Sequence, residues 1–227
     1  MNGNSDEFRK YATKHLGISS LNLYKYESIY ANAYISPTII EERQLNVAQM
    51  DVFSRLMMDR IIFLGIAIDD YVANIIQAQL LFLESSDPGK DIQIYFNSPG
   101  GSVTCGISVY DAMQHIESRV TTLCIGIAAS MASFVLAGGE RGHRIALPHS
   151  RIMIHQPNGG SQGQASDVLA ESEEVLRIRK QIGRIYAERT GQSLETIARA
   201  LDRDRFMDAK QAKEFGIIDQ VAETKSR

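Results

Sequence analysis

Cysteine occurs only twice in the 227 residues, as Cys105 and Cys124. Two thiols without C-x-x-C spacing exclude a disulfide framework and speak against a redox pair or a thiolate metal site. Both lie in apolar segments, where buried, reduced thiols are expected, in keeping with a cytoplasmic protein. Charge of one sign is also scarce. The 27 acidic and 24 basic residues leave a net charge of -3, with no single-sign run to mark a nucleic-acid tail or a polybasic membrane patch. No apolar run reaches the about 20 residues of a membrane span, and residues 123 to 139, broken by Ser130, Ser133 and glycines, read as core. Residues 1 to 16 mix both charges and lack the apolar stretch of a secretory signal. What remains, 44% hydrophobic residues with 17 Gly and 5 Pro, is the make-up of a globular chain able to bury one sizeable core.

The first 46 residues carry five of the nine tyrosines (Tyr11, Tyr24, Tyr26, Tyr30, Tyr34) and show no sustained period, as expected of an N-terminal arm or processed leader. Residues 47–227 read as one domain. IIFLGIAI (61–68) is a strand-like run, followed by Val72, Ile75, Ile76, Leu80 and Leu83 at helical spacing behind Asp69 and Asp70. IQIYF (92–96) leads through Ser-Pro-Gly-Gly into a second helix, and Val120 to Ile127 runs into a third near Ser130. Such alternation predicts an α/β fold. Two short strands, HRIAL (143–147) and RIMIH (151–155), precede a glycine-rich stretch over 156–164 and a helix over 165–190 that stops at Gly191. That helix is too long for one compact core and implies a partner surface. A capping pair, Asp208 and Gln211, opens a last short helix, and IIDQV reads as a final strand.

Three side chains have settings suited to chemistry. Ser130, in GIAASMAS (126–133), stands where an apolar strand turns into a helix. There a hydroxyl can protrude beside backbone N–H groups able to bind an oxyanion; an N-cap serine is the equal alternative. His155 leaves a strand, a place suited to a general base, with His149 its nearest competitor. Asp202 and Asp204, set among arginines, are equally able to orient an imidazole. The turn Asn97 to Ser102 offers a second set of closely approaching backbone N–H groups. It lacks the Gly-Lys-Ser/Thr of a phosphate loop, so nucleotide hydrolysis within this chain is not expected.

Taken together, IYFNSPGGSV (94–103), GIAASMAS, RIMIHQP (151–157), GQAS (163–166), TGQSLETIARALDRDRF (190–206) and EFGIID (214–219) resemble the proteolytic subunits of ATP-dependent Clp proteases, the ClpP family. The resemblance, covering about 41 to 221, implies a ClpP/crotonase-like spiral of strand-helix units with a protruding handle at about 156–190. It selects Ser130 as nucleophile, His155 as base and acid and Asp204 as its orienter. It assigns the oxyanion hole to the N–H groups of Gly101 and Met131, with no metal. It implies two stacked seven-membered rings enclosing a chamber, fed with unfolded proteins by an AAA+ ATPase that uses the ATP. This chain itself then needs no cofactor, binds no nucleic acid and enters no membrane. Leu81, Tyr95, Leu123, Ile125 and Leu147, which otherwise read as core, match the pocket where that ATPase docks, while Gln93 and His115 depart from the aromatics of familiar members.

Overall fold

The computed structural model describes residues 38–43, 46–158 and 163–223. The tyrosine-rich start and residues 159–162 of the glycine-rich stretch lie outside the described residues. The chain divides into two units, one ending at Val52 and one beginning at Phe53. In the first, β1 (Thr38–Arg43) and β2 (Asn46–Asp51) form an antiparallel pair with Arg43 opposite Asn46, so residue 46 falls inside a paired element. The periodless reading of this region missed it.

The second unit is built on a seven-stranded sheet. The strands β3 (Ile61–Leu64), β4 (Ile92–Ser98), β5 (Val120–Ala129), β6 (Arg144–Ala146) and β9 (Gln220–Val221) lie side by side, all parallel. The long strand β5 forks. Its first part pairs with β6 through Thr122–Cys124, and its last three residues pair in parallel with β7 (Arg151–Ile154). The antiparallel edge strand β8 (Arg205–Asp208) completes the β7 branch. Around the sheet run α1 (Val52–Met58), α2 (Asp70–Ser86), α3 (Val103–His115), α4 (Met131–Ala137), α5 (Ala165–Thr190), α6 (Leu194–Leu201) and α7 (Ala209–Phe215).

Local chemistry explains most boundaries. The Asp69 carboxylate caps α2 by accepting from Val72 N, and Asp208 with Gln211 forms the expected capping box on α7. One face of the sheet, with Ile62, Leu64, Ile92, Ile94, Phe96 and Cys124, is buried under α2, α3 and α4, whose core side chains include Leu80, Val109 and Phe134. Two expected strands are shorter than the sequence implies. The first ends at Leu64 because the chain leaves the sheet: the Ile66 carbonyl accepts from Ser98 Oγ at 2.6 Å and Ile68 bridges to Gly101 instead. The last begins only at Gln220 because the amides of Ile217 and Ile218 turn back to the Ala212 carbonyl at the end of α7.

Helix α5 spans the predicted 26 residues. Only Ile182 and Tyr186 on it are buried, both in its last third, while Leu169 and Leu176 are 65% and 53% exposed. The apolar stripe is thus seated at one end and open at the other.

Candidate active site

No loop separates β5 from α4. Ala129 ends the strand, Met131 begins the helix, and Ser130 alone makes the turn with φ 54° and ψ −125°. A positive φ at a non-glycine residue costs on the order of 1–3 kcal/mol and persists only where surroundings enforce it. Here they do. The Ser130 N–H donates to the Met153 carbonyl of β7 at 2.9 Å, and its carbonyl accepts from Ser133 N, Phe134 N and Ser133 Oγ at 3.0, 3.2 and 2.7 Å. Its own hydroxyl does not cap α4; it lies 2.8 Å from His155 Nε2.

His155 is the first residue beyond β7, and the antiparallel register settles its partner. Ile154 faces Arg205 across β7 and β8, so the next step outward sets residue 155 opposite residue 204. His155 Nδ1 lies 3.1 Å from Asp204 Oδ1. An ionised carboxylate only accepts, so Nδ1 carries the imidazole proton and Nε2 accepts from the Ser130 hydroxyl. The competing carboxylate turns elsewhere: Asp202 pairs with Arg179 and Arg203 at 4.0 and 3.9 Å. His149 lies exposed near Arg151 and Asp208. The imidazole side chain is 18% exposed and that of Asp204 61% exposed. Gln156, which the sequence did not single out, ties the exit of β7 to the end of α6: its N–H bonds to the Leu201 carbonyl and its side-chain amide to the Asp202 carbonyl.

The Ser-Pro-Gly-Gly turn closes over this arrangement. A Cβ on Gly100 would come within 2.5 Å of the Ala129 carbonyl and 2.7 Å of Ser130 Cβ, and one on Gly101 within 2.1 Å of the Ile68 carbonyl. Only glycine allows such backbone contact, and Gly100 also has φ 92°. Gly100 thus abuts Ser130 and the Met131 backbone, with Gly101 the next residue of the turn. Met131 is the first helical residue, whose N–H has no partner within the helix. Gly101 and Met131 line a cleft of about 270 Å³ with Ser130 and His155, walled by Val103, Phe134, Met153 and Ile182. The cleft is small beside the about 300–1,000 Å³ that encloses drug-sized ligands, and apolar enough to hold one side chain of an extended peptide.

The cysteines take no part. Burial and the Asp70 carboxylate raise the Cys105 thiol above its ordinary range, and burial raises that of Cys124. Among the described residues, no group of three or more His, Cys, Asp or Glu side chains is arranged to hold a metal ion. No helix there is long and apolar enough to cross a membrane.

The five expected docking residues are not core. Leu81 and Leu147 are 54% and 38% exposed, and Tyr95, Leu123 and Ile125 are partly covered. Tyr95 and Leu123 are cross-strand neighbours on β4 and β5, on the sheet face opposite Ile94 and Phe96. The alternation of β4 supplied this signal, since Ile92, Ile94 and Phe96 already fill the inner face.

A family model described as Clp protease matches residues 43–225. An ATP-dependent Clp protease proteolytic subunit of Porphyromonas gingivalis is 59% identical over 218 residues, 96% of this chain and 98% of that relative. The protein of the same name from Bacteroides fragilis (strain YCH46) is 58% identical over 95% of this chain and 98% of its own length. That of Chlorella vulgaris is 61% identical over 76% of this chain and 86% of its own.

Proposed function

The chain belongs to the Clp protease family, and from that premise we propose that it is the serine endopeptidase subunit of an ATP-dependent protease in which Ser130, His155 and Asp204 perform the hydrolysis. The observation that carries the assignment of roles is the continuous hydrogen-bonded series from Ser130 Oγ through the imidazole to Asp204 Oδ1. Ser130 attacks the peptide carbonyl while Nε2 of His155 takes its proton. Asp204 holds the tautomer and stabilises the imidazolium, and the N–H groups of Gly101 and Met131 receive the oxyanion. The imidazolium returns the proton to the leaving amine, and water, activated by the same base, releases the acyl group from Ser130.

Relatives at nearly full length are named proteolytic subunits of ATP-dependent proteases, so ATP is consumed by a separate ATPase that delivers unfolded chains. The apolar surface around Tyr95, Leu123 and Leu147 is its docking site in this reading, and subunits assemble as two stacked heptameric rings, joined through α5.

A serine-directed phosphonate, mapped by mass spectrometry, tests the assignment. It is expected to modify Ser130 alone, and Ser130→Ala to lower peptide hydrolysis on the order of 10⁴-fold or more. Labelling of Ser98, Ser102 or Ser133, or an undiminished rate in the variant, would overturn it.

A further inference from the structure

The carbonyl that accepts three hydrogen bonds belongs to the same peptide unit as the Met131 N–H. That unit is planar and trans, so its C=O and N–H point in opposite directions. Whatever holds the Ser130 carbonyl therefore aims the Met131 N–H. Two of the three donors are backbone amides of α4. The third is the hydroxyl of Ser133, which is fully buried and 2.7 Å from the carbonyl.

Ser133 is itself held from another element. Its Oγ lies 2.8 Å from the hydroxyl of Tyr186, on α5. A serine hydroxyl has one proton, and here it goes to the Ser130 carbonyl, so Tyr186 must be the donor to Ser133 Oγ. Burial raises the Tyr186 hydroxyl well above its ordinary range, which keeps that donor protonated. The Tyr186 ring, 3% exposed, also packs edge-on against Phe134 with centroids 5.6 Å apart.

We propose that Tyr186 and Ser133 are positioning residues that aim the Met131 N–H at the oxyanion, through a relay from the Tyr186 hydroxyl to the Ser133 hydroxyl to the Ser130 carbonyl. The relay rests on the proteolytic reading above and deepens it: it joins the root of the long helix to the oxyanion hole without touching the imidazole. Hydrogen bonds in series polarise one another, so losing either hydroxyl loosens the same peptide plane.

The test uses Tyr186→Phe, Ser133→Ala and the double variant of the full chain, with peptide turnover, sedimentation velocity and inhibition by a peptide aldehyde, whose hemiacetal oxygen occupies the oxyanion position. Each single variant is expected to assemble like the wild type and to lose about three- to tenfold in kcat with KM unchanged, less than the 10²–10³-fold of deleting an oxyanion donor outright. Aldehyde affinity should fall by the same factor, the pH midpoint of turnover should not move, and the double variant should be no worse than the poorer single one. Unchanged kcat, a rise confined to KM, or additive losses would overturn the proposal. So would collapse of assembly in both single variants, which would make the pair a structural anchor. Ser130→Ala in the same assay separates the two readings: activity retained there refutes the proteolytic site, whereas a dead Ser130→Ala beside fully active Tyr186→Phe and Ser133→Ala refutes only the relay.

Discussion

At Gly100 the space available is decided by backbone atoms that cannot move without moving the nucleophile. An added methyl would strike both the Ala129 carbonyl and Ser130 Cβ, and the residue would still have to hold φ 92°. Gly100→Ala is therefore expected to lower kcat/KM by about 100-fold or more and to cost about 2–4 kcal/mol in chemical denaturation; near-normal values of both would mean that the turn yields freely. The same scale shows what local sequence could and could not say. Ser130 was recognisable as a candidate because an apolar strand ran into small residues. Its alternative as an N-cap was separated only by a backbone angle and by a histidine 25 positions away. Asp202 and Asp204 share composition and neighbours. What distinguishes them is the register of β8 against β7, a non-local pairing that no window of the chain contains, so the family resemblance had to make that choice.

Among elements, α5, the start of β6 and the residue preceding β9 are tied by one charged knot. Arg144, its side chain 5% exposed, donates from Nε to Asp219 Oδ2 at 2.8 Å and from Nη1 to the Arg189 carbonyl near the end of α5 at 2.9 Å. Asp219 also accepts from the backbone of Gly142 and Arg144. Burial alone would raise the Asp219 carboxyl, but Arg144 and these amides outweigh it and hold it below its ordinary value. A carboxyl lowered in the folded state adds stability above its unfolded value near pH 4, and that stability is lost as pH falls through the lower folded value. Asp219→Asn should accordingly cost about 3 kcal/mol at neutral pH, by leaving a buried guanidinium unpaired, and flatten the loss of stability below about pH 4. Urea titrations across pH check both, and an unchanged acid slope would contradict the account. Long, strongly periodic elements such as α5 and the inner strands were legible in advance. The strand pair β1 and β2 and the edge strand β8 were not, since short strands acquire their identity from partners more than from their own pattern.

For the molecule as a whole, the exposed half of α5 matters most. Leu169 and Leu176 stand open on a helix whose buried residues, Ile182 and Tyr186, lie in its last third, and solitary subunits rarely leave such a stripe uncovered. Leu169→Glu or Leu176→Glu is expected to shift the protein to smaller species in sedimentation velocity and to lower peptide turnover about tenfold or more in the same sample, because the helix proposed to pair subunits also walls the cleft through Ile182. A dissociated species with full turnover would show assembly and catalysis to be independent. The globular class and the strand-helix alternation are readable from composition and period, whereas Leu123 and Leu147 read as core from their apolar surroundings alone and only the family resemblance sets them apart, because burial depends on which layers cover a strand.

The direct junction of β5 with α4 also bears on how chains of this kind can change length. Between Ala129 and Met131 there is one residue, and it is the nucleophile. One residue inserted into the last turn of the strand would turn every later side chain to the other face and carry the hydroxyl away from His155. Lineages descending from such a chain can gain or lose residues where nothing is being aimed, but they inherit the span from Val120 to Met131 as a gauge of fixed length, altered only by substitution.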